Sequence, residues 1–275
     1  MRRLLDPIRS VFFNIAFYGF TALFVPFIVL PMGYLGGEKG VRKGVYGYCR
    51  GSLFLARYVM GIKSEFRGAE KLPKDGALIL AAAHQSTMDP MMAYMLRGDV
   101  TALAKKELFR TPGIGGALKM MRAIRVDRQA GNARSSMDGL GARVLEENRA
   151  LIVYPQATRI KLGSRKPLKS GAYHLAKDAN IPVYTVATST GLFWTRGFFH
   201  RSGTAIFEIK RLLPENMEKD AFMACLEEDV VLASEDLMAE AGYSNLLPDY
   251  SAHNRGEDTD SCVSQKEEND ENSNK

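Results

Sequence analysis

The unbroken apolar run Ala77 to Ala83 leads directly into His84-Gln85-Ser86-Thr87-Met88-Asp89. A run of that length without alternation reads as a strand buried on both faces, which points to an α/β sheet covered by helices on each side. The imidazole and the carboxylate would then sit at the carboxyl end of the strand, where open α/β sheets collect ligands and reacting groups. Their spacing does not suit one face of a regular helix, where neighbours lie three or four positions apart. A strand-to-helix corner suits it better, with Asp89 as N-cap and Pro90 in the first helical position.

Two readings of that corner are open. In one, Asp89 only caps a helix and His84 is a satisfied loop histidine. In the other, Asp89 fixes the tautomer of His84 and stabilises its cationic form, so that the imidazole can take a proton from an alcohol and activate it without a covalent enzyme intermediate.

The remaining pattern extends the α/β reading. Thr101 to Ala104, Ala123 to Val126, Leu151 to Tyr154, Val183 to Ala187 and Ala205 to Ile209 read as further strands. Pro90 to Leu96, Ile114 to Met121, Ala133 to Glu147, Ser170 to Ala179 and Ala221 to Ala239 read as helices. Strands alternating with helices imply a mixed central sheet flanked by helices.

Ahead of this domain lies a stretch with no charge between Arg9 and Glu38, rich in Phe, Leu, Ile and Val. It is long enough to cross a hydrocarbon core and too long for a cleaved signal peptide. Pro26 and Pro31 interrupt it, and Arg2, Arg3 and Arg9 on one side face Lys39, Arg42 and Lys43 on the other. One kinked spanning helix fits; so do two short helices that enter one leaflet and return, which would leave both basic flanks at anionic head groups. Gly44 to Ile62 would continue as an interfacial collar. The expected organisation is therefore a membrane segment over 1–62, an α/β domain over 63–245 and an acidic, disordered tail over 246–275.

The formal net charge is +6; residues 252–275 contribute 3 − 7 = −4, leaving +10 on the rest. A body that basic favours anionic partners such as phospholipid head groups, phosphorylated substrates or an acidic carrier protein. There is no zinc spacing and no RNA-binding signature, so no metal and no nucleic acid are expected. Cys49, Cys225 and Cys262 are odd in number and far apart, arguing against a disulfide framework. Lys105-Lys106, Arg125 with Arg128, Arg159 and Lys169 fall near predicted strand ends. Singly each reads as a surface charge; together they could line one phosphate-accepting cleft.

With these blocks in hand, the sequence from about Leu4 to Ala241 resembles the lysophosphatidic acid acyltransferase (1-acyl-sn-glycerol-3-phosphate acyltransferase) family, the glycerolipid acyltransferases marked by His-x4-Asp. His84 to Asp89 matches the first block, Lys105 to Gly116 resembles the stretch leading to the second, Ile124 to Arg128 the second block's ending, Leu151 to Arg159 the third block, and Ile181-Pro182-Val183 the fourth. The resemblance implies His84 as general base oriented by Asp89, and Arg128 with Arg159 on the acceptor phosphate. Lys105, Lys169, Thr158 and Gln156 would complete the substrate site. It further implies a fatty acyl group passed from acyl-CoA or acyl carrier protein, without another cofactor, to the sn-2 hydroxyl of 1-acyl-glycerol 3-phosphate. The setting would be the cytoplasmic face of the inner (plasma) membrane.

Three positions depart from the family pattern: Gln156 for Glu, Ala157 for Gly, and Arg122 near a position commonly Gly. Gln keeps hydrogen-bonding capacity without charge, and Ala disfavours the positive φ that Gly allows. Because they lie on the acceptor side, another lysolipid such as lyso-ornithine lipid is an alternative acceptor. A non-catalytic module that binds anionic lipid is the alternative of a different class.

Overall fold

The computed structural model describes residues 2–111, 113–126 and 139–247. A mixed seven-stranded sheet carries the molecule, built from β1 (Ile62–Arg67), β2 (Leu78–Ala82), β3 (Thr101–Lys105), β4 (Ile124–Val126), β5 (Ala150–Val153), β6 (Val183–Thr188) and β7 (Gly203–Leu212), in the order β1-β7-β6-β2-β5-β3-β4. Every described pairing is parallel except β6 with β7. The central strand β2 is flanked by β5 and β6 in parallel, so all three deliver their carboxyl ends to one edge of the sheet.

Burial follows the two-residue period of the strands. Leu78, Leu80 and Ala82 point into a core shared with Phe13, Phe17, Met60, Met88 and Met92, whereas Ile79, Ala81 and Ala83 point into one shared with Leu140, Leu175 and Phe222. The first face is covered by the N-terminal helices and α3 (Met88–Leu96), the second by α5 (Leu140–Glu146), α6 (Gly171–Ala179) and α8 (Lys219–Leu226). This double covering is why β2 carries no polar side chain.

The N-terminal segment is a helical hairpin. α1 (Asp6–Phe24) and α2 (Leu30–Leu55) are joined by a wider-wound turn at Val25–Val29, beside Pro26, where a missing amide hydrogen loosens the helical ladder. The reversal comes at Gly37, whose φ of 56° and ψ of −143° are open to glycine and costly for other residues. Beyond it the chain folds back: Tyr48 stacks on Phe20 at 5.7 Å and bonds to Thr21 at 3.0 Å. Gly44 permits the approach, because a Cβ there would lie 3.0 Å from the Val29 Cα. Gly44 to Met60 thus forms the returning arm of the hairpin, and Ile62 already belongs to β1. That strand is invisible to hydrophobic patterning because it lies at the sheet edge, with only Ile62 fully buried.

Other boundaries move by a residue or two, except that the strand expected over Ala205 to Ile209 extends to Gly203–Leu212 and that Ala221 to Ala239 forms α8 and α9 (Ala233–Glu240) around a wider turn at Glu227–Leu232. The start of the expected helix Ala133 to Glu147 lies outside the described residues, as does the tail from 248 onward.

Candidate active site

The corner after β2 differs from the expected cap in one respect. α3 begins at Met88, so Asp89 lies inside its first turn and does not cap it. The reason is the direction of its carboxylate, which turns back on the preceding loop. Asp89 Oδ2 accepts from Gln85 N–H at 2.7 Å, Ser86 N–H at 2.8 Å and His84 Nδ1 at 3.0 Å. Asp89 Oδ1 accepts a short bond from Thr190 Oγ, at the start of α7 (Thr190–Phe193). The carboxylate is fully buried, and these donors replace the water it has lost.

With the carboxylate on Nδ1, the hydrogen-bond network assigns the proton to that nitrogen and leaves Nε2 with a free lone pair. The imidazole stays 20% exposed, so a substrate can reach it. Tyr154, at the end of β5, stacks flat against the ring with centroids 4.0 Å apart. Burial, and then the charge of Asp89, push the Tyr154 phenol well above its ordinary range, so it stays neutral beside the imidazole.

The loop after β5 wraps the same corner. Gln156 Oε1 accepts from the His84 backbone N–H at 2.9 Å, and Ile160 N–H donates to the His84 carbonyl at 2.7 Å. Ala157 takes φ 57° and Arg122 φ 54°, the left-handed conformation that glycine adopts without strain. Arg159 Nη1 donates to Thr87 Oγ at 3.0 Å, which holds its guanidinium at the first turn of α3 beside the dyad. Thr158 is half-buried in the same loop. Lys169 is exposed, and its backbone N–H meets the Pro155 carbonyl at 2.8 Å. Lys105 ends β3 at the same sheet edge, its side chain outside the described set, and Arg128 also lies outside the described residues. The structure therefore brings His84, Asp89, Gln156 and Arg159 together, with Thr158 in the same loop, and places the Lys169 backbone against Pro155 of that loop.

Three supporting residues were not singled out from sequence: Tyr154, Thr190 and Gln85. Gln85 Oε1 accepts from Gly191 N–H at 3.2 Å, and a Cβ on Gly191 would meet the Gln85 Cβ at 2.6 Å, so glycine there allows the close contact. Beyond this contact opens a cavity of about 670 Å³ lined by Gln85, Ile160, Lys161, Arg196, Phe199 and Arg201, among others. The hairpin also reaches the site: Phe13 and Phe17 pack edge-on against Trp194 at 4.8 and 4.9 Å, and the Trp194 carbonyl accepts from Ser86 Oγ at 2.7 Å.

Comparison with known proteins agrees with this geometry. The sequence model of the family described as Acyltransferase matches residues 63–189, which hold β1 through β6 and the whole dyad corner. Over 187 residues the chain is 31% identical to the 1-acyl-sn-glycerol-3-phosphate acyltransferase alpha of Ovis aries, covering 67% of this chain and 64% of that protein. Residues 63–189 form a domain of the acyltransferase family. Its 1-acyl-sn-glycerol-3-phosphate acyltransferase relative from Pseudomonas aeruginosa is 31% identical over 153 residues, covering 55% of this chain and 59% of the relative. The match thus spans a little under two thirds of the sheep relative, 64% of its length. Among solved structures, the crystal structure of the 1-acyl-sn-glycerophosphate acyltransferase from Thermotoga maritima has the same fold, with a TM-score of 0.70 at 19% identity, covering 85% of this chain and 98% of that one.

Proposed function

We propose that this chain is a membrane-bound O-acyltransferase that moves a fatty acyl group from a thioester, acyl-CoA or acyl carrier protein, to the sn-2 hydroxyl of 1-acyl-glycerol 3-phosphate. The observation that carries the reading is the His84 Nδ1 to Asp89 Oδ2 contact of 3.0 Å, between a buried carboxylate and an imidazole that stays 20% exposed. Nε2 takes the proton of the acceptor hydroxyl as its oxygen attacks the thioester carbonyl. The tetrahedral intermediate collapses, the C–S bond breaks, and the departing sulfur takes the proton back from the imidazolium. Asp89 stabilises the cationic ring between the two transfers. A general base of this kind typically contributes about 10²- to 10⁴-fold, and holding alcohol and thioester together supplies much of the rest.

Arg159 beside the dyad would hold the acceptor phosphate, with Arg128 and, from the same sheet edge, Lys105 and Lys169 assisting. The helical run Asp6–Met60 is long and apolar enough to cross a membrane, and its most apolar 18-residue window is only 11% buried. Folded back at Gly37, its two arms lie side by side, which suits a membrane-embedded hairpin. The basic cluster Lys39, Arg42 and Lys43 follows the turn directly, where Glu38 meets both Arg42 and Arg149 of the α/β domain, and the cytoplasmic face is the setting we propose.

His84→Ala in purified membranes is expected to abolish acyl transfer to lysophosphatidate while protein level is unchanged; near-normal turnover would exclude the role. One observation favours a second acceptor: a neutral Gln156, followed by Ala157 at positive φ, braces His84 where relatives of the pattern carry Glu and Gly. A lysolipid panel separates the two, since a zwitterionic acceptor such as lyso-ornithine lipid outperforming lysophosphatidate would favour the alternative.

A further inference from the structure

The loop Thr195 to Arg201, between α7 and β7, combines firm attachment with an exposed aromatic tip. Its backbone is tied to α1 through buried polar groups: Asn14 Nδ2 donates to the Phe198 carbonyl at 2.8 Å, and His200 N–H donates to Ser10 Oγ at 2.8 Å. The His200 ring meets Asn14 Oδ1 at 3.2 Å and packs edge-on against Phe13. Within the loop, Thr195 Oγ donates to the Phe199 carbonyl at 2.5 Å, and Arg201 N–H donates to the Phe193 carbonyl at 2.9 Å. Despite this anchoring, Phe198 and Phe199 are 55% and 61% exposed, their rings edge to face at 5.3 Å. Two adjacent phenylalanines held rigidly in water contribute nothing to the core and mark an interaction surface.

Three observations identify the occupant. The loop is bonded to α1 at Asn14, and the residues on either side of that anchor, Phe12, Ile15 and Tyr18, are themselves more than 60% exposed, so the aromatic tip continues the apolar surface of the hairpin. Arg196, exposed and two residues before Phe198, is a cation of the kind that meets head-group phosphates beside interfacial aromatic rings, whereas Arg201 turns inward to the Leu192 carbonyl at 3.2 Å and the Tyr243 ring. The chain outside residues 252–275 carries +10, matching an anionic surface. We propose that Phe198 and Phe199 form a second membrane contact, entering the boundary between head groups and acyl chains of an anionic bilayer beside the hairpin, with Arg196 at the phosphate level. Arg196 Nη1 also donates to the Arg159 carbonyl at 3.0 Å, so this contact fixes the height of the Arg159 loop, and of the cavity that Phe199 and Arg196 line, above the membrane. The inference rests on the reading of the hairpin as membrane-embedded.

The test uses full-length protein reconstituted in phosphatidylethanolamine–phosphatidylglycerol vesicles with acyl chains brominated at shallow or deep positions. The parent has one tryptophan, Trp194, which is 5% exposed and gives the baseline. In Phe199→Trp, the added emission should be quenched most by shallow bromines. In parallel, Phe198→Ser, at the ring that does not line the cavity, should lower turnover of long-chain lysophosphatidate presented in vesicles by about fivefold, given the transfer free energy of a partly buried aromatic ring. Turnover of a short-chain acceptor in detergent should be unchanged, which also shows that the variant folds. An introduced indole that shallow bromolipid leaves bright, or equal vesicle turnover in parent and variant, overturns the proposal. Emission that depends on protein concentration instead of bromine would assign the pair to a second copy of the chain and overturns it too. Failure of the acyltransfer reading is distinct: no variant or parent would turn over in either assay, while the quenching would still report the contact.

Discussion

The phenol ring of Tyr154 lies against the imidazole of His84, with planes 16° apart and centroids at 4.0 Å. Stacking restricts the ring to the plane in which Nδ1 meets Asp89, so β5 orients a residue delivered by β2. The Tyr154 hydroxyl is buried and has no hydrogen-bond partner among the described residues. Tyr154→Phe should therefore keep turnover within about twofold and raise stability, since an unpaired buried hydroxyl costs about 1–3 kcal/mol. Tyr154→Ala should cost about 3–5 kcal/mol through the cavity it leaves, and lower kcat by freeing the imidazole. Thermal inactivation in detergent and steady-state kinetics read the two effects separately.

Thr190 supplies the bond to Asp89 Oδ1 from a position 101 residues further along the chain. Thr190→Val keeps the shape and removes the donor, leaving one oxygen of a buried carboxylate short of a partner. The expected loss is about 1–3 kcal/mol of stability, with a fall in kcat at nearly constant KM. Thr190→Ser should restore both; failure of that rescue would remove Thr190 from the positioning network.

Ala157 sits at φ 57°, where a Cβ costs about 1–2 kcal/mol. Ala157→Gly should relieve part of that strain, offset by the greater backbone freedom of glycine in the unfolded chain, for a net gain near 1 kcal/mol and a midpoint a few degrees higher. Combined with Gln156→Glu, it should shift acceptor preference toward lysophosphatidate if these two positions set head-group choice. An unchanged panel of acceptors would show that they do not.

His200 is buried between Asn14, Thr195, Phe13 and Trp194, and burial lowers its pKa to about 4. The folded protein holds it neutral, whereas the unfolded chain protonates it near its ordinary value of about 6.5. Stability is therefore complete above about pH 6.5 and is lost as pH falls toward 4, by up to about 3 kcal/mol. His200→Gln should flatten this acid slope in unfolding measurements between those limits, without changing the dyad.

Much of this protein was legible in one dimension because it depends on periodicity and local order. A double-sided strand must read as continuous apolar sequence, so β2 and the corner after it could be placed from Ala77 to Asp89 alone. The uncharged run after Arg9 likewise announced an apolar helix, and the block order announced the acyltransferase family. Edge strand β1 escaped because one wet face and partial burial leave no pattern to detect. Whether the N-terminal segment ran on or turned back depended on one backbone conformation, at Gly37, and on Gly44 meeting Val29; neither leaves a hydrophobic signature. The supports of the dyad are also tertiary. Tyr154, Gln156 and Thr190 reach His84 and Asp89 only because β5 and β6 flank β2 in parallel, and sequence distance carries no information about which strand ends become neighbours. Composition and period chose the elements; close packing of three parallel strand ends decided which side chains meet.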